Sequence, residues 1–318
     1  MLIRKEVRIK GVKKKDIFNF FLDPNNIVKV YPSDLKPEIK KHNGDYKVKL
    51  LLFGQRMNFT LKIIGIKEHE EIVDELKGPF VKSWRNYHRF KEVNEDIVIE
   101  DEIEFETVLD GLGDRFARKY VEEIIEYRNR SLLKLFNNIG EPSFKDPFKM
   151  QVNKGTLLLS FLTLFAIILL LFITGNPVID FLIGLVSWIL LWYSTHDLAH
   201  FLLGRALGIR FKYYYLGLSN LYLISWIPER IRMLAFTFGI KIDRENTKAT
   251  KERYALMFLA GPLASMLTPF IPSIFLYFVS SSLIGLILIV FSIANLIFTS
   301  YFSPRYGCIN KVLRSLKK

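Results

Sequence analysis

Residues 155 to 174 read GTLLLSFLTLFAIILLLFIT, twenty positions without one charged side chain. A helix crossing a hydrocarbon core of ~30 Å needs about twenty such residues. The run therefore divides the chain. On its N-terminal side charged and apolar residues are mixed. On its C-terminal side further apolar runs follow, and they predict spans at about 177–203, 254–279 and 283–302. Charge divides the same way: residues 1–154 hold 30 Lys/Arg against 26 Asp/Glu, and residues 155–318 hold 15 against 6, within a total of +13. A basic surplus flanking apolar spans fits phospholipid headgroups of a lipid bilayer better than nucleic acid, for which no aromatic-laced basic patch is present.

Lys and Arg set the expected orientation. Lys145, Lys149 and Lys154 precede the first span, and Arg205, Arg210 and Lys212 follow the second. Lys248, Lys251 and Arg253 precede the third, and Lys311, Arg314, Lys317 and Lys318 follow the fourth. The turns at 175–177 and 280–282 carry no basic residue. This pattern predicts a multi-pass cell-membrane protein with both termini cytoplasmic. The opening MLIRKEVRIK has no apolar core and is expected to be a strand, not a cleaved signal.

Ionisable groups inside apolar spans cost free energy and point to function. His196 and His200 lie four residues apart on one expected helix face, the spacing that lets two imidazoles hold one metal ion. Asp197 lies between them, where a carboxylate can serve as general base. The plainer alternative is a pair of histidines bonded to backbone carbonyls or headgroups. Cys308, the chain's one cysteine, allows no intramolecular disulfide and no CxxC motif.

The run HDLAHFLLGRALGIRFKYYYLG, residues 196–217, resembles the HExxH helix of site-2 proteases, which are intramembrane zinc metalloproteases, together with the strand that follows it. LAGPLAS, residues 259–265, is similar to that family's AGPxxN helix start, with Gly261, Pro262 and Ser265 in its positions. Asn295, Pro304 and Gly307 stand near its NxxPxxxLDG segment. The resemblance implies zinc on His196 and His200, Asp197 as base, and a transmembrane protein substrate. It also shows departures. Asp197 replaces a glutamate, and no acidic residue occurs in 295–318, where the family has its third ligand; Tyr306 stands roughly at that place. Cys308 is either the substitute ligand or a buried small hydrophobe. Active protease and inactive pseudoprotease both remain open.

The first 138 residues are expected to be α+β. Ile3, Val7 and Ile9 share one face of a strand. Tyr46–Leu52 and Met57–Ile63 alternate as a hairpin, and 82–91 pairs with 97–107, where Ile97, Ile99, Ile103 and Phe105 oppose four glutamates. Residues 114–136 predict a long helix with Phe116, Tyr120, Ile124, Tyr127 and Leu135 on its apolar face. Residues 139–154, with two prolines and a glycine, are expected to be a linker before the membrane domain at 155–318. Strand, short helices, antiparallel meander and terminal helix resemble the helix-grip order of the START-like or SRPBCC ligand-binding superfamily. The expected fold is thus a helix-grip soluble domain followed by an all-α domain of about four transmembrane helices. The resemblance implies an apolar cavity for a lipid or isoprenoid ligand, with Phe53, Phe59, Trp84, Tyr87, Phe90 and Phe105 as lining; the same aromatics would also serve as ordinary core. His88 is expected to be a surface or hydrogen-bonded strand residue. The third alternative for the whole chain is a membrane-tethered sensor or carrier of a hydrophobic ligand.

Overall fold

The computed structural model describes all residues except 109, 225, 229, 230, 233, 234 and 318. The chain forms two compact units, Met1–Phe148 and Lys149–Lys318.

The first unit opens with strand β1 (Leu2–Lys10) and two short helices, α1 (Lys14–Leu22) and α2 (Ile27–Val30). Six strands follow: β2 (Glu38–His42), β3 (Asp45–Leu52), β4 (Gln55–Lys67), β5 (Glu71–Lys77), β6 (Val81–Val93) and β7 (Asp96–Thr107). Helix α3 (Asp110–Asn137) closes the unit. The sheet runs β1-β7-β6-β5-β4-β3-β2, antiparallel throughout. This is the helix-grip fold: a meander whose first strand returns beside the last, with α3 against β1 and β7. Two-residue turns close the β2–β3, β3–β4 and β6–β7 hairpins. Asn43 and Gly44 both have positive φ, 51° and 85°, which matches the strand twist on either side.

The expected strand pairs are present, with Tyr46 opposite Leu61 and Phe90 opposite Ile99. Along β7, Ile97, Ile99, Ile103 and Phe105 are buried while Glu104 and Glu106 are exposed. Strands β2 and β5 were not foreseen from the sequence. Their alternation is diluted by lysines and acids on exposed positions. The face of α3 differs from the expected one. Phe116 and Leu135 are 60% and 51% exposed, and the buried side carries Tyr120, Val121, Ile125, Arg128 and Leu132. Arg128 and Asn129 are buried by polar partners, so hydrophobic periodicity alone misplaced the face.

Among the described residues, the second unit holds four helical segments long and apolar enough to cross a membrane: Val152–Phe172, Pro177–Ala206, Lys251–Val279 and Ser282–Tyr306. They comprise α4 (Val152–Leu169) with a short 3₁₀ turn, α5 (Pro177–Ala206), α6 (Lys251–Leu267) with α7 (Phe270–Val279), and α8 (Ser282–Tyr306). An amphipathic helix, α9 (Cys308–Lys317), ends the unit. Large side chains such as Leu157, Leu171, Phe278 and Leu283 lie exposed on these helices, as expected where the solvent is lipid. Between helices, small hydroxyl residues make the polar contacts. Trp188 Nε1 donates to Ser292 Oγ at 2.9 Å, and Thr163 Oγ1 meets Ser194 Oγ at 2.8 Å. Asp180 has a structural role: its carboxylate accepts from the Thr174 and Gly175 backbone and from Ser280, tying two turns together.

One feature falls outside the expected all-α reading of this unit, although the resemblance to site-2 proteases implied one of its strands, in the run after His200. A three-stranded antiparallel sheet, β10-β9-β8, is built from Lys149–Met150 (β8), Phe211–Leu218 (β9) and Phe236–Ile242 (β10). The stretch expected as linker therefore includes β8 and the first turn of α4.

Candidate functional site

The first site is a cavity of about 220 Å³ in the N-terminal unit, enclosed by the inner face of β3–β7, by α3 and by the α1–α2 segment. The sheet's period of two puts alternate residues on this face. Along β6 these are Trp84, Asn86 and His88. Of the aromatics expected as lining, Phe53, Phe59 and Trp84 are on the wall. Phe90 and Phe105 are instead core residues, 2% and 1% exposed, with Phe90 held edge-on between Phe18 and Phe21, and Tyr87 is not on the wall.

One side of the wall is polar. Trp84 Nε1 donates to Asn86 Oδ1 at 2.7 Å, and Asn86 Nδ2 donates to Asp74 Oδ1 at 2.6 Å. His88 bridges two carboxylates, with Nε2 3.1 Å from Asp74 Oδ2 and Nδ1 2.5 Å from Asp101 Oδ1. Arg128 Nη2 donates to Asp101 Oδ2 and, at 2.8 Å, to Asn129 Oδ1. Burial pushes the His88 pKa down, but the hydrogen bonds and charges of Asp101 and Asp74 outweigh it and bring the group to about 9. Burial likewise raises Asp101, and Arg128 and His88 overcome this to hold it at about 2. Of the two expected places His88 takes the hydrogen-bonded one, buried in a network whose carboxylates favour its protonated form. Sequence reasoning missed the network because its members come from three strands and a helix. The legible signal was a histidine and an asparagine on the inward face of β6. Thr107 Oγ1, also on the wall, is buried with no hydrogen-bond partner among the described residues.

The second site lies in the helical unit. His196 and His200, one turn apart on α5, face Cys308 at the start of α9, and the ligand atoms of the three all lie within 4.8 Å of one another. Cys308 Sγ is 3.6 Å from His196 Nε2 and 3.3 Å from His200 Nε2. Tetrahedral zinc with bonds of ~2.3 Å to sulfur and ~2.05 Å to nitrogen would separate S and N by about 3.5 Å. The donor set and its spacing therefore fit a metal ion.

Each imidazole is fixed from behind. His200 Nδ1 lies 2.6 Å from the Met257 carbonyl oxygen, so Nδ1 carries the proton and the Nε2 lone pair is free for a metal. His196 Nδ1 lies 3.1 Å from Ser265 Oγ, whose own proton goes to the Pro262 carbonyl. That leaves Ser265 as acceptor and His196 Nε2 unprotonated. Asn295 Nδ2 donates to the Ser265 carbonyl oxygen at 2.9 Å. Gly261 is required sterically, because a Cβ there would stand 2.2 Å from His200 Nε2. Pro262 removes one rung of the α6 ladder beside this contact. Asp197 is buried, 5% exposed, and its carboxylate makes no hydrogen bond among the described residues. Tyr306 is not in the cluster; it is 40% exposed.

No family model matches this chain, and no curated protein matches it. Several solved structures are similar to its N-terminal part. A conserved protein from Geobacillus kaustophilus shares 12% identity over 43% of this chain and 96% of its own, with a TM-score of 0.37. The protein XoxI from Bacillus cereus shares 16% identity over 43% and 96%, at 0.36. A START superfamily protein from Mycobacterium smegmatis shares 14% identity over 44% and 99%, at 0.35. The helix-grip assignment rests on the strand order and helix placement described above.

Proposed function

We propose that this chain is a membrane-anchored binding protein for a hydrophobic small molecule, captured in the helix-grip unit and linked to a membrane-spanning unit. The observation that carries this reading is the apolar cavity between sheet and helix, walled by Phe53, Phe59, Leu61, Trp84 and Tyr120. Pockets for small molecules are mostly apolar with a few placed polar groups, and this one has that composition. Its volume lies below the ~300–1,000 Å³ of drug-sized sites, which favours a single acyl or isoprenoid chain over a two-chain lipid. A buried Thr107 hydroxyl without a partner adds support, since such a group costs free energy until something bonds it. The test is a search for co-purifying apolar molecules in organic extracts of the purified full chain. A single-chain species at about one per protein is the expected result, and extracts matching the surrounding lipid alone count against it.

A second reading is favoured by a separate observation, the convergence of His196, His200 and Cys308. In it the helical unit is a site-2-protease-like zinc centre. His196, His200 and Cys308 hold the ion, and Asp197 takes a proton from water. Bound zinc would polarise that water. Gly261, Pro262, Ser265 and Asn295 position the two imidazoles. The membrane substrate of such an enzyme would be a transmembrane protein. Zinc content of the purified chain, with wild type compared against His196→Ala/His200→Ala, tests the centre; one zinc per chain lost in the double variant is expected. Retained zinc would end this reading.

A further inference from the structure

The polar side of the cavity carries information about the ligand's head. Three buried ionic groups line it, Asp74, His88 and Arg128, and a fourth, Asp101, is bonded to two of them without reaching the cavity. Two are acidic and two basic, so with His88 protonated this buried cluster has no net charge; the other acids on the cavity lining, Asp23 and Glu106, are exposed. Most of their hydrogen-bonding capacity is spent internally. Asp101 accepts from His88 and Arg128 and does not line the cavity, and both His88 nitrogens are engaged.

Two capacities remain. Arg128 donates through Nε and Nη2 only, which leaves the two N–H groups of Nη1 without an acceptor among the described residues. Asp74 accepts from Asn86 and His88, one bond on each oxygen, so each oxygen keeps a lone pair. Both residues line the cavity. Unused donors and acceptors on one cavity, within a charge-neutral buried cluster, suit a group that can both accept and donate, or accept alone, without bringing charge.

We infer that the cavity selects an apolar chain bearing one uncharged hydroxyl or carbonyl group, bonded by Arg128 Nη1 and, for a hydroxyl, by Asp74. This rests on the ligand-binding reading above. A carboxylate or phosphate head would meet Asp74 in a site whose arginine is already paired with Asp101. An ammonium head would meet Arg128 and protonated His88. Either one buries an uncompensated charge, which costs several kcal/mol. A plain hydrocarbon leaves Arg128 Nη1 unbonded and dry.

The experiment uses the full chain in nanodiscs of uncharged lipid at pH 7, with tritiated 1-dodecanol as the probe and empty nanodiscs subtracted. Competitors are unlabelled dodecanol, dodecanoic acid, dodecylamine and dodecane. Dodecanol is expected to displace the probe at concentrations roughly tenfold or more below the other three, the scale of one hydrogen bond to a charged group. Equal or better competition by the acid, the amine or the hydrocarbon overturns the head-group inference and leaves chain binding standing. Absence of saturable dodecanol binding, together with no binding of a labelled dodecanoic acid, removes the cavity reading itself. A second arm replaces Asp74→Asn, which shifts the buried cluster to a net positive charge. That variant should gain affinity for dodecanoic acid relative to dodecanol by roughly tenfold, a gain that misfolding cannot produce. An unchanged preference in a folded Asp74→Asn protein contradicts the assignment of Asp74.

Discussion

Cys308 Sγ lies 3.3 Å from His200 Nε2, although 108 residues separate them in the chain. A thiol in that position becomes a thiolate when metal is bound and loses reactivity toward alkylating reagents. Chelation is therefore expected to increase Cys308 labelling in the native chain, and Cys308→Ala to weaken zinc binding more than tenfold. Labelling that chelators leave unchanged would identify the thiol as a small buried hydrophobe.

Gly261→Ala addresses the same centre from behind. Its new methyl would overlap His200 Nε2, so the imidazole must move from its bond to Met257. Zinc affinity should fall by tenfold or more, with a stability loss of ~1–3 kcal/mol typical of overpacking. The readouts are metal titration and thermal melting in detergent. Full affinity in the variant would show that His200 does not need this seat.

The His88 network predicts a pH profile of stability for the N-terminal unit. His88 has its folded pKa raised to about 9, so its contribution is complete below the unfolded value near 6.5 and is lost as pH rises through 9. Asp101 is lowered to about 2, so its contribution is complete above its ordinary value of 3.8 and is lost as pH falls toward 2. Denaturant melts should show a plateau between about pH 4 and 6.5 with a fall on both sides. His88→Ala should cost about 3–5 kcal/mol at pH 6, by leaving Asp74 and Asp101 facing each other with one cation fewer. It should also flatten the alkaline limb. An alkaline limb that persists in His88→Ala would assign it to another group.

The sequence made legible what repeats locally and left obscure what is assembled from distant pieces. The four apolar runs predicted the four long helices to within a few residues, because hydrocarbon thickness fixes their length. Alternation predicted the β3–β4 and β6–β7 pairs, since one face of each is buried. The His196/His200 pair was readable from its spacing, and Cys308 from being the one thiol available; the structure puts the three together. The cavity's polar wall was not readable. Asp74, Asp101 and Arg128 look like surface charges in a mixed sequence, and only the return of β1 and α3 across the sheet buries them. Phe90 and Phe105 illustrate the converse. Their residue type suits a ligand wall equally well, and only packing against Phe18, Phe21 and Trp84 commits them to the core.

The distribution of Lys and Arg makes a prediction about topology that is independent of either site. Reporters fused before Met1 and after Lys318 should lie on the same, cytoplasmic side, with the turns at 175–177 and 280–282 opposite. Protease protection of the two fusions in intact cells measures this. Opposite behaviour of the two tags would require an odd number of crossings.

Ligand capture by the helix-grip cavity is tested most directly by stoichiometric binding of a C12 alcohol to the full chain in nanodiscs, compared between wild type and Leu61→Trp. Leu61 lies on the cavity wall, and a tryptophan there fills space a chain would occupy. The account predicts saturable binding near one molecule per chain in wild type, and a loss of tenfold or more in a Leu61→Trp protein that still melts cooperatively. Binding of equal strength in both proteins, or none in wild type, would contradict it.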